Sequence, residues 1–441
     1  MKMWAKFSLI LLLGGSFLAT YAITLLPSLS VPDAELESRQ VGVEPLPLSV
    51  YCPGAFVEVG GESGVDIGLL ERVGEASIYS AVGEGTVLVA PKLSTAEGAL
   101  VTVSGQRQST SLLTAIQAQG LSRERASGFL ASDCAQPAFG GWFISGAAAL
   151  GQETVILIAN PTQTDTQVEL EFKLPGGIVT EQISVAAGQS KILPVSNFIF
   201  QEPMFALEFN SKGAPVSVAL QQRATAGLSP RGVDLQVPGA GPQQQNRIAG
   251  LRIASEGFEK PVLRLFNPGE IPTEAIITAS SKANTAVFRV MVGSAGLSET
   301  PLDLVDGSYI LEIQSSQPLL AGARNLQLQP ALDFAWLTPS SSFTELTMPI
   351  PLYQSALFVA NFGSSTIAVN LEITSGGRVE YQSFQIEPMS QVEVPVLGDK
   401  LKIVSAAEFF AALEILDLPG YAVINPSENE NFGDEILVIV R

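Results

Sequence analysis

The 441-residue sequence contains no histidine. That removes the commonest general base and the commonest transition-metal ligand. A Ser-His-Asp triad, a Cys-His dyad and a His-ligated zinc centre are therefore excluded. Cysteine is scarce too: only Cys52 and Cys134 are present, too few to build a zinc site alone. In an exported protein such a pair reads as a disulfide, with two buried free thiols as the alternative. Charged residues make up 15%, with 24 Lys+Arg against 43 Asp+Glu and a net charge of −19. That acidity argues against nucleic acid and anionic lipid as partners, since both need a basic surface. No Gly-x-Ser-x-Gly elbow and no phosphate-binding Gly-x-x-x-x-Gly-Lys segment occurs.

What is present is apolar. Hydrophobic residues reach 46%, enough for large cores and too many for general disorder. The length suits three or four domains of about 100–150 residues. One phrase recurs three times, a short apolar run ending in Asn. It reads Val155-Ile156-Leu157-Ile158-Ala159-Asn160, Val262-Leu263-Arg264-Leu265-Phe266-Asn267 and Ala356-Leu357-Phe358-Val359-Ala360-Asn361. Each copy is followed by a second phrase expected to end a hairpin, around Pro215, Pro318 and Glu408. Copies about one hundred residues apart are whole-domain repeats, longer than the ~20–50 residues of solenoid units. Asn160, Asn267 and Asn361 fit strand ends, because Asn can bond the backbone two residues on and start a turn.

Taken in order, residues 1–29 read as an export signal or membrane anchor. Lys2 and Lys6 precede an uncharged run from Phe7 to Leu26, about the 20 residues a spanning helix needs. The leading positive charge places the N-terminus in the cytoplasm and the bulk outside, or secreted if the segment is cleaved. Residues 30–47 are acidic and Pro-containing and are expected to be an extended linker. A first β domain with Cys52 and Cys134 is expected over 48–147, then three β-sandwich repeats over 148–240, 241–340 and 341–441. Ser111 to Gln119 suggests a single helix within the first domain. Alternation in Val168-Glu169-Leu170-Glu171-Phe172 predicts a half-solvated antiparallel strand, and Pro175-Gly176-Gly177 a hairpin turn. Ile436 to Val440 reads as a buried closing strand, with no second span expected beyond it. The expected fold is all-β: tandem antiparallel Ig-like β-sandwich domains after an N-terminal transmembrane helix.

Chemistry-bearing candidates are few. Glu169 and Glu171 could serve as paired carboxylates, but alternation puts them on a charged surface. Asp303-Leu304-Val305-Asp306-Gly307 and the stretch from Asn425 to Glu435 offer oxygen ligands without calcium-loop spacing. They read as acidic loop tips, so no metal and no cofactor is expected. Trp142 sits in an apolar run and reads as core. Trp336 and Tyr353, near an interdomain linker, are the candidate interaction residues, suited to stacking on a sugar.

Tyr51-Cys52-Pro53-Gly54, Ala131-Ser132-Asp133-Cys134 with Trp142-Phe143-Ile144-Ser145-Gly146, and Leu228-Ser229-Pro230-Arg231-Gly232-Val233-Asp234 carry a resemblance. The chain resembles a family of membrane-anchored, secreted actinobacterial proteins of unknown function. The resemblance implies an envelope location and brings no catalytic residues with it. The expectation is thus a non-enzymatic, membrane-tethered extracellular rod of β domains, acting as a structural or protein-interaction scaffold. The alternative is a cell-wall carbohydrate-binding or adhesion module. Partners would be the membrane through the N-terminal helix, and an envelope protein or cell-wall glycan.

Overall fold

The structure, a computed structural model, describes residues 37–42, 49–61, 66, 68–82, 86–89, 98–104, 113–254, 259–427 and 435–440. Two units result: Met1–Pro45 with Phe432–Arg441, and Leu46–Asn431. In the first unit β1 (Glu37–Gly42) pairs antiparallel with Glu435–Val440. The expected linker therefore contains a strand, and the expected closing strand of the last domain pairs with it. The expected anchor at residues 1–29 lies outside the described residues. Among the described residues no helix is long and apolar enough to cross a membrane.

Among its described residues the second unit is almost wholly strand, with one 3-10 turn at Val195–Asn197. Its first module contains β2 (Ser49–Cys52), β3 (Phe56–Val59), β4 (Leu70–Val73), β5 (Ser77–Val82), β6 (Thr86–Val89), β7 (Ala99–Ser104), β8 (Leu113–Ser122) and β9 (Ser127–Asp133). These form sheets β2-β7-β6, β3-β4 and β5-β8-β9. Cys52 and Cys134 are disulfide-bonded. The stretch expected as a helix is β8, because it is sandwiched between two partner strands and buried on both faces over Leu113–Gln119.

The second module shows the repeat in full. It comprises β10 (Gly140–Ala148), β11 (Gln152–Ala159), β12 (Thr166–Leu174), β13 (Gly177–Val185), β14 (Ser190–Pro194), β15 (Glu202–Lys212), β16 (Ser217–Ala226) and β17 (Ser229–Gln236). One sheet runs β10-β15-β12-β13 and the other β14-β11-β16-β17. Alternation in β12 turns Val168, Leu170 and Phe172 inward, where they meet Ile156, Phe205, Val218 and Leu220 from both sheets. The pairing assigns Gly140–Ala148 to this module, ahead of the expected boundary at residue 148.

The third module repeats the plan with β18 (Gln243–Ile253), β19 (Val262–Phe266), β20 (Thr273–Ser280), β21 (Thr285–Val292), β22 (Leu297–Pro301), β23 (Gly307–Gln327) and β24 (Asp333–Leu337). The fourth does so with β25 (Ser342–Pro349), β26 (Ser355–Asn361), β27 (Ile367–Ser375), β28 (Arg378–Ile386), β29 (Ser390–Val396), β30 (Lys400–Asp417) and β31 (Gly420–Ile424). Here the counterparts of β15 and β16 fuse into one long strand. In β23, residues up to Ser315 pair with β20, and residues from Leu320 pair with β19. The expected hairpins are thus corners where one strand passes from sheet to sheet. Pro318 marks the change, since it donates no ladder hydrogen bond there.

The four modules close on themselves. Phe56, Val57 and Leu130 of the first share a core with Val155, Leu157 and Leu235 of the second. Ile144 and Ala206 of the second meet Phe266 and Leu320 of the third. Phe358, Ala412 and Val423 of the fourth complete the third module's core. Ile116, Phe129 and Ala131 of the first are buried with Leu346, Met348 and Leu413 of the fourth. A rod would leave that last seam open. Burying a side chain such as Ile116, Phe129, Leu346 or Met348 is worth about 1.5–3 kcal/mol each. The expected rod is therefore replaced by a ring.

Candidate functional site: the junction of four strands

The last strand of every module, β9, β17, β24 and β31, is the innermost, and these four lie against one another in a cycle. Near the start of each stands the same two-residue step: Gly128-Phe129, Gly232-Val233, Asp333-Phe334 and Gly420-Tyr421. Three copies have Gly where the third module has Asp. The Asp333 side chain is fully buried at the point where the four strands converge. Its Oδ1 accepts the backbone N–H of Val233 at 2.9 Å and of Phe334 at 2.9 Å. Its Oδ2 accepts the N–H of Phe129 at 2.8 Å and of Tyr421 at 2.8 Å. One carboxylate thereby ties equivalent backbone groups of all four modules. Burial pushes the Asp333 carboxyl well above the usual carboxylate range, and the four donors pull against it.

The three glycines make room for that carboxylate. A Cβ at Gly128 or Gly232 would come within 2.5 Å of it, and Gly420 abuts it as well. Around this point lies a second set of buried polar contacts. Asp234 Oδ2 accepts the Trp336 N–H at 3.1 Å and the Gln236 amide at 3.0 Å. Burial raises the Asp234 carboxyl to about 7. Trp336 Nε1 donates to Gln222 Oε1 at 3.2 Å, and the Arg264 guanidinium stacks 4.6 Å from its ring. Arg264 also donates to the carbonyls of Ile144 and Gly146 and pairs with Glu299, which joins the second module to the third. At the ring's closing seam Asp133 Oδ2 accepts from Ser427, at 3.0 Å from N–H and 2.7 Å from Oγ. Burial raises Asp133 to about 6.

These positions correct the expected interaction residues. Trp336 is buried, 2% exposed, because β24 is an innermost strand rather than a linker edge. Tyr353 is half-buried and packs edge-on against Phe129, 4.7 Å between ring centres, at the seam between the fourth and first modules. The two are therefore parts of seams and form no open stacking platform. Trp142, half-buried, packs with Phe266 at the second seam and lies under Lys173. Glu169 and Glu171 face outward in ion pairs with Lys212 and Lys173. Asp303 pairs with Lys260 at 2.9 Å, and residues 428–434 of the other acidic stretch lie outside the described residues. Among the described residues no three His, Cys, Asp or Glu side chains gather in a way that could hold a metal ion.

The three Asn residues act as expected and in one pattern. Each Oδ1 accepts the N–H two residues on, from Thr162, Gly269 and Gly363. Each Nδ2 donates to the carbonyl four residues on, at Thr164, Ile271 and Ser365, and to a carbonyl at the end of the module's outer strand, at Val185, Gly293 and Ile386. Asp333 went unnoticed in the sequence. Its signal was the repeated Gly before an apolar residue at the head of the last strand, broken once by Asp.

A family model described as a family of unknown function, DUF5719, matches residues 89–397. No curated protein matches the chain. The crystal structure of Thermotoga maritima 1070 is similar over 23% of this chain and 94% of its own, at 14% identity and a TM-score of 0.22. A crystal structure of a tetra-tandem repeat in the extending region of a large adhesion protein aligns with 80% of this chain and 91% of its own. Its identity is 12% and its TM-score 0.11.

Proposed function

The chain belongs to the DUF5719 family of unknown function, and from that premise we propose a non-enzymatic, membrane-tethered extracellular scaffold of the actinobacterial cell envelope. Its modules are read as Ig-like sandwiches that present interaction surfaces on a rigid ring. The observation that carries this reading is the closed junction at Asp333, where the buried polar groups are spent on holding modules together. The Cys52–Cys134 bridge favours an oxidising compartment, and the apolar run at Phe7–Leu26 with its leading lysines favours a tether there. Contacts to a partner would use the free edge strands β13, β21 and β28, which end their sheets. Those edges expose Ile178, Val287, Met291, Val379 and Tyr381, and an unpaired edge is a template for an added strand.

Two measurements test this. Intact cells treated with a membrane-impermeant amine reagent should label exposed lysines such as Lys212 and Lys282, with the chain in the membrane fraction. Labelling only after the cells are broken open, or recovery in the cytosol, would sink the location. Crosslinking in cells should join the chain to an envelope protein through the edges, and Val287→Lys with Tyr381→Lys should weaken that adduct without lowering the melting temperature. An adduct indifferent to both substitutions would remove the edges from the proposal.

A further inference from the structure

Four backbone N–H groups, one from each module, converge on a single point and donate in pairs to two oxygens at 2.8–2.9 Å. Convergent backbone N–H groups of this kind are how proteins build anion sites. Three of the four flanking positions are glycine, and a Cβ at Gly128 or Gly232 would fall 2.5 Å from the guest oxygens. The cavity is therefore shaped to a carboxylate and to nothing bulkier. The guest it holds is covalently attached through only one of the four modules. With both oxygens doubly donated to, a carboxyl proton would face donors on every side, and this is what opposes the rise that burial imposes on Asp333.

We infer that the junction is a carboxylate receptor made by all four modules, whose resident ligand is the Asp333 side chain, and that it takes a small free monocarboxylate when that side chain is removed. The donors belong to strand backbones held by their own ladders, at Phe129, Val233 and Tyr421, so they do not depend on Asp333 for their direction. Removing the side chain leaves the donors buried and unpaired, which is costly until an anion arrives. Formate carries the same two oxygens and needs its carbon to move only about 1 Å outward from the Cγ position to clear Cα of residue 333. Acetate adds a methyl group where the Cβ stood, too close to Cα without a shift.

The full-length protein carrying Asp333→Gly tests this, with sodium formate as the probe and sodium chloride as the ionic control. Formate should raise its melting midpoint with the logarithm of its concentration above half-saturation, by about 1–2 °C per tenfold rise. Acetate should do less. The unaltered chain and Asp333→Asn, whose amide fills the space with an N–H₂ against donors, should gain nothing beyond chloride. Equal effects of formate and chloride on Asp333→Gly, or equal gains in all three proteins, would overturn the receptor. If Asp333→Gly does not fold in chloride, refolding in formate should restore its near-ultraviolet circular dichroism. No recovery in formate would overturn the proposal equally.

Discussion

Gly420 has no positive φ, so space alone excludes a side chain there. A Cβ at that position would meet the Asp333 carboxylate and the Gly128 Cα, the latter at 2.6 Å. Gly420→Ala should therefore destabilise the protein by about 1–3 kcal/mol, the usual range for overpacking, read from urea unfolding. Two buried acids, one beside this junction and one at the closing seam, set a pH dependence. Asp133 and Asp234 are raised by burial to about 6 and about 7 from an ordinary value of 3.8. An acid raised in the folded state binds its proton more tightly there than in the unfolded chain. Its contribution to stability is complete below the unfolded value and is lost as pH rises through the folded one. The melting temperature should thus be higher near about pH 5 than near about pH 8. Asp234→Asn should flatten the part of that slope nearest neutrality, and a melting temperature that climbs with pH would contradict the assignment.

Between elements, amide side chains do the work of missing strands. Gln221 is buried in β16, accepts the Val57 N–H at 2.7 Å and donates to the Val57 carbonyl at 2.7 Å, so β3 of the first module is bound as if by another backbone. Gln221→Leu keeps the volume and strands both backbone groups. It should cost about 2–5 kcal/mol in equilibrium unfolding, and a neutral result would show that water reaches the seam. Strand pattern was legible in the sequence where the causes are local. The alternation of Val168 to Phe172 and the turns begun by Asn160, Asn267 and Asn361 need only neighbours within a few residues. It was illegible where distant residues decide. Pro318 looks like a turn but sits in one continuous strand, and β8 lacks alternation because both its faces are covered. Trp336 beside a Pro-Ser segment suggests exposure until β24 is seen to lie innermost.

At the scale of the Leu46–Asn431 unit, the seams make one body of what the repeats suggest is a string. The Leu46–Asn431 unit should have a radius of gyration of about 21 Å, the value for a compact chain of its length. Four modules in line, each about 30–40 Å long, would give roughly 35–45 Å. Small-angle scattering on the chain from Pro32 onward separates these outcomes. The ring was invisible in the sequence because its seams pair residues of modules distant in the chain, and the one Asp among three Gly carries meaning only once the four strands are brought together.

Closure also decides where the protein can be cut. The family match opens at Val89, the last residue of β6, and stops at Leu397, just after β29. A fragment expressed between those points would lose Cys52, leaving Cys134 without its mate, and would lose the strands that supply Leu413 and Tyr421. Two incomplete blades would then face each other across a gap with greasy walls, and recombinant material trimmed to the homologous stretch should precipitate where the longer polypeptide stays dissolved.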